Sequence, residues 1–157
     1  MFDTTRTDVG EATFQLKYRN DWAQIKPLAQ AIADQIYQKL ASVGFIVPMP
    51  ASTQRYRQPV TEVAKELAGL VNVPVFENLL LKAATGKSLK DLHTKEEKIA
   101  AIGDSFSVND EITNQGIWNV LVIDDLFDTG ASMEAACKVL RAYPKVGKIY
   151  VAALTWK

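Results

Sequence analysis

The chain has 157 residues, 48% of them hydrophobic and 23% charged, the proportions of a globular domain with room for a full core. Lys plus Arg and Asp plus Glu number 18 each, so no net basic field points to nucleic acid as a partner. A lone cysteine, Cys137, excludes an internal disulfide framework and a multi-cysteine zinc site, and no apolar run approaches the roughly 18 residues of a membrane span.

The polar, acidic start from Met1 to Gly10 is unlike a secretory signal, and the expectation is a cytoplasmic protein. No repeat or low-complexity segment divides it, so residues 1–157 read as one domain without a membrane or direct nucleic-acid partner. Phe14 to Tyr18 alternates apolar and polar residues and predicts a short strand. A helix follows, with Pro27 in its first turn and Leu28, Ile32, Ile36 and Leu40 on one face, closed by Gly44. Phe45-Ile46-Val47 predicts a buried strand ending on Pro48 and Pro50. Pro59 opens a second helix, with Val60, Val63, Ala64 and Leu67 as its stripe.

Val73 to Phe76 is another short apolar run, weakened as a strand by Pro74. From Lys82 to Asp104 the chain is polar and Lys-rich without a clean period, which predicts a long loop with a helical turn around Lys95 to Ala101. Ser105 to Val108 reads as a strand. Val120-Leu121-Val122-Ile123 is the strongest strand signal, wholly apolar as a strand buried on both faces should be. A helix with Met133, Ala136, Cys137 and Leu140 on one face follows, and Ile149 to Leu154 is the last strand. Strands alternating with helices predict an α/β domain with a mainly parallel sheet, whose ligands sit beyond the carboxyl ends of the strands.

The segment from Val120 to Ser132 carries chemistry in that place. A buried strand leads to Asp124 and Asp125, then to Asp128-Thr129-Gly130-Ala131-Ser132 and a helix. A loop opening a helix offers free N–H groups and the positive end of the helix dipole, which suits a phosphate. Gly130 lets the backbone approach an anion, and the Thr129 and Ser132 hydroxyls add donors. The carboxylates would repel phosphate; they suit adjacent ribose hydroxyls and Mg²⁺, directly or through water. Asp124 and Asp125 as a plain strand end and Ser132 as a helix cap are the bland alternative.

At these residues the chain resembles the type I phosphoribosyltransferases. That resemblance implies binding of 5-phosphoribosyl-1-pyrophosphate (PRPP) with Mg²⁺, and transfer of the phosphoribosyl group to a nucleobase-like acceptor. Asp124 and Asp125 match the family's acidic pair at the ribose and metal. Asp128, Thr129, Gly130, Ala131 and Ser132 match its 5-phosphate loop. Asp-Thr-Gly resembles the 6-oxopurine transferases, where the matching Asp lies near the base; this makes Asp128 a candidate general acid or base, with a solvated loop carboxylate as the alternative.

A wider similarity is to the ComF-like, competence-associated branch. Leu16-Lys17-Tyr18, Val47-Pro48-Met49-Pro50, Arg57-Gln58 and Ser105 to Val108 resemble its elements. By that similarity Ala51, Ser52 and Arg55 would face pyrophosphate, and Lys87, Lys90 and Lys98 would belong to a mobile lid. The element around Arg55-Tyr56-Arg57-Gln58 is degraded, and Lys98 stands where the branch has arginine. The same similarity leaves room for a homodimer, and for a second function: a non-catalytic PRPP- or nucleotide-binding protein in regulation or DNA uptake. Thr85-Gly86-Lys87-Ser88 imitates the end of a Walker A loop, but Leu81 stands where its first glycine belongs. His93, the one histidine, cannot make a metal cluster alone. Trp22, Trp118 and Trp156 read as packing residues, with stacking on a base as the alternative for Trp156 near its strand end.

Overall fold

The computed structural model describes residues 14–16, 19, 21–50, 57–83, 94, 96–97, 105–127 and 131–156, with the backbone alone described at 125–127, 131 and 155–156. Three helices of two turns or more lie among them: α1 (Ile25–Gln35), α2 (Pro59–Val71) and α3 (Ala131–Arg141). The strands are β1 (Phe45–Pro48), β2 (Leu80–Lys82), β3 (Phe106–Val108), β4 (Trp118–Phe127) and β5 (Val146–Trp156). β1, β4 and β5 form a parallel sheet in the order β1-β4-β5, and β2 and β3 pair separately and antiparallel.

Period-two alternation along β4 builds a core on each face of the sheet. Val120 and Val122 join Phe45, Val47, Leu80, Phe106, Ala136 and Leu140, so this face lies under α3 and the β2–β3 pair. Leu121 and Ile123 join Ile46, Leu28, Ile32, Val63 and Leu67, so the opposite face lies under α1 and α2. All four β4 residues are fully buried, which explains their unbroken apolar run.

Leu28 and Ile32 of α1 and Val63, Ala64 and Leu67 of α2 are buried as the spacing predicts, whereas Val60 is only partly buried and Ile36 and Leu40, expected on the first stripe, fall beyond the end of α1; Pro59 occupies the first position of α2, where its missing N–H costs nothing. Asn72 closes α2 in the left-handed region at φ 60°, a conformation asparagine tolerates.

Several boundaries and one element differ from expectation. Residues 14–16 are helical, not extended. Asp21 N–H reaches back to Gln15 O at 3.0 Å, and Leu16 is buried with Leu28 and Ile32. A two-residue alternation over so few positions fits one helical turn as well as a strand. α1 ends at Gln35, and a separate 3₁₀ turn, Tyr37–Lys39, carries the chain onward before Gly44. Val73 to Phe76 makes only a parallel bridge, with Val75 opposite Ile46.

Lys82, expected at the start of a loop, ends a strand. Lys82 pairs with Phe106, and Ala83 N–H donates to Ser105 O at 2.7 Å, so both ends of the long polar segment are tied together. Within it, Glu96 and Glu97 are helical and Glu97 N–H donates to Thr94 Oγ at 3.0 Å. The rest of that segment, with Lys87, Lys90 and Lys98, lies outside the described residues.

Candidate functional site

β4 does not stop at Ile123. It continues through both acidic positions to Phe127, because β5 runs beside it: Asp124 pairs with Ala153, Leu126 with Thr155 and Phe127 with Trp156. The acids therefore sit on the strand near its carboxyl end rather than in the loop beyond. Asp124 is half-buried, one step past the fully buried Ile123, where the sheet emerges from its two cores. Asp124 shares the strand parity of Val120 and Val122. The backbone of Asp125 holds the next strand position.

β1 reaches the same end of the sheet. Pro48 pairs with Ile123, and Met49 N–H donates to Ile123 O at 2.8 Å. The chain thus leaves β1 immediately beside Asp124, and Ala51, Ser52 and Arg55 follow outside the described residues. Asp128, Thr129 and Gly130 also lie outside them. On the far side of that gap α3 begins at Ala131, with Ser132 half-buried in its first turn and Lys138 and Arg141 in its last, the charge placement that complements the helix dipole. The β4–α3 unit therefore has the predicted order: buried strand, acids at its end, and a helix N-terminus following.

Cys137 is buried in α3, and burial raises its thiol pKa, with a smaller opposing effect from Arg141; this disfavours a thiolate nucleophile. Among the described residues no cluster of three or more His, Cys, Asp or Glu side chains gathers. No helix among the described residues is long and apolar enough to cross a membrane.

One arrangement near this end escaped the sequence patterns. The Arg57 guanidinium lies over the Trp22 ring, 4.1 Å from its centroid, and is 3.5 Å from the Glu62 carboxylate. Thirty-odd intervening residues separate Trp22 from Arg57, so neither periodicity nor spacing could join them.

No family model matches the sequence, and no curated protein matches it. Solved structures do match the fold. The adenine phosphoribosyltransferase of Leishmania donovani superposes with a TM-score of 0.56 over 90% of this chain and 56% of that one, at 10% identity. The adenine phosphoribosyltransferase of Saccharomyces cerevisiae, complexed with adenine and an imino-altritol bisphosphate, gives 0.54 over 88% and 72%, at 13% identity. A hypoxanthine phosphoribosyltransferase from Staphylococcus aureus gives 0.50 over 85% and 63%, at 12% identity. The chain spans less than two thirds of the length of the Leishmania and Staphylococcus proteins. The architecture is the type I phosphoribosyltransferase fold: a mainly parallel sheet flanked by helices.

Proposed function

We propose that this protein is a phosphoribosyltransferase that binds PRPP with Mg²⁺ and transfers the 5-phosphoribosyl group to a nitrogenous base. The observation that carries the reading is the position of Asp124, half-buried at the carboxyl end of the central strand and followed by the N-terminus of α3. In an open α/β sheet that end is where ligands bind. We read the chain as one domain of the ComF-like branch, acting in the cytoplasm.

In this reading Asp124 and Asp125 accept hydrogen bonds from the ribose hydroxyls and hold Mg²⁺ through water. Hard carboxylate oxygens suit that ion, and the cross-strand neighbour of Asp124 is the small Ala153. Bound there, the ion would offset charge on the pyrophosphate. Thr129, Gly130, Ala131 and Ser132 receive the 5-phosphate at the helix N-terminus. Ala51, Ser52 and Arg55 receive the pyrophosphate beside the end of β1. Lys87, Lys90 and Lys98 belong to a lid rooted on the β2–β3 pair, which excludes water from the reacting ribose.

The bond from ribose C1 to the pyrophosphate oxygen breaks, and a bond from C1 to the base nitrogen forms. Pyrophosphate carries away the electron pair, and the base gives up a proton. Asp128 takes that proton when the acceptor is a purine. The protein supplies no nucleophile; it aligns the reactants and stabilises charge as it develops.

Calorimetry with PRPP, with and without Mg²⁺, tests the site, and pyrophosphate release with a panel of bases tests the reaction. Metal-dependent binding with base-dependent release is expected. Binding without release from any base would assign the pocket to a non-catalytic PRPP sensor. No PRPP binding with Mg²⁺ would end the reading altogether.

A further inference from the structure

We draw no further inference here: the strongest candidate, the outer edge of β5, which no described strand pairs and along which Val151 is exposed, carries none because nothing in the structure shows what covers it.

Discussion

At the end of the sheet where β1, β4 and β5 begin, the chain is interlocked. Gly44 N–H donates to Asn119 O at 2.8 Å, and Trp118 N–H donates to Lys145 O at 2.9 Å. The Asn119 amide bridges Ser42 O and Lys148 N–H at 2.5 and 2.9 Å. Trp118 lies so close to Gly44 that a β-carbon there would sit 2.6 Å from Trp118 Cβ. Gly116, at φ +135°, turns the chain into this end in a conformation that other residues rarely adopt. Tyr143 OH donates to Asp110, and Lys145 Nζ to Ile112 O, which fastens the exit of β3 to the exit of α3.

The opposite end, where Asp124 emerges, holds a half-buried acid and a helix N-terminus. One end is built of contacts that need an exact shape; the other is the end to which the proposed function assigns the ligand. On that reading stability and binding occupy separate ends of the same three strands, and substitutions at the two ends should separate in what they change.

The largest effect is expected at the site end. Asp128→Asn should lower turnover with a 6-oxopurine about 10²–10⁴-fold, the usual worth of general acid–base help, while PRPP affinity changes little. Steady-state kinetics paired with PRPP calorimetry checks this, and full activity in the variant would remove the proton-transfer role.

Asp125→Asn should weaken PRPP binding about 10- to 100-fold in the presence of Mg²⁺, as expected for loss of a charged hydrogen-bonding partner. Its urea midpoint should match wild type. A shifted midpoint with unchanged affinity would reverse the assignment of this end to ligand binding.

Gly44→Ala should do the opposite. The new methyl meets Trp118 Cβ, Cδ1 and Cγ at 2.6, 2.8 and 2.9 Å, and atoms so near the backbone cannot swing away. Overpacking of this kind costs about 1–3 kcal/mol, which urea unfolding would register. PRPP affinity of the folded protein should be unchanged; a parallel loss of affinity would show that the two ends are coupled.

The smallest effect concerns alkaline pH. Burial of Tyr143, then its hydrogen bond to Asp110 and the charge of that carboxylate, push the phenol up to about 12 from the usual 10. A folded-state pKa above the unfolded value means that protonated Tyr143 favours the fold. The contribution is complete below pH 10 and is lost as pH rises from 10 through 12. The exposed position of Asp110 keeps it small. The stability difference between wild type and Tyr143→Phe should therefore shrink across that window in urea titrations. A constant difference would show that the hydroxyl does not titrate in the folded state.

Much of this architecture was legible in the residue pattern. The helix stripes at Leu28 and Ile32, and at Val63, Ala64 and Leu67, are buried as their spacing predicts. Phe45 to Val47 and Val120 to Ile123 are strands buried on both faces. The carboxylate pair also marked the carboxyl end of the central strand in advance: Asp124 and Asp125 occupy the last part of β4, and α3 follows.

The misses share a cause, which is pairing between residues far apart in sequence. Nothing local extends β4 through Asp124 and Asp125; β5 does so by offering Ala153 to Thr155 as partners. Nothing in Leu80-Leu81-Lys82 announces a strand until Phe106 to Val108 arrive beside it. Phe14 to Leu16 alternates like a strand, yet burial of Leu16 among Leu28 and Ile32 accompanies a helical turn.

The sequence by itself determined which segments are apolar enough to be buried and which residues could meet a phosphate, a ribose or a metal, since both follow from the chemistry of neighbouring side chains. Only the tertiary structure decided that β1 leaves the sheet beside Asp124, that Arg57 rests on Trp22 and that Trp118 closes over Gly44. Those contacts depend on how separate segments pack into two cores around one sheet, and no local pattern encodes a distance between segments that meet only when the chain has folded.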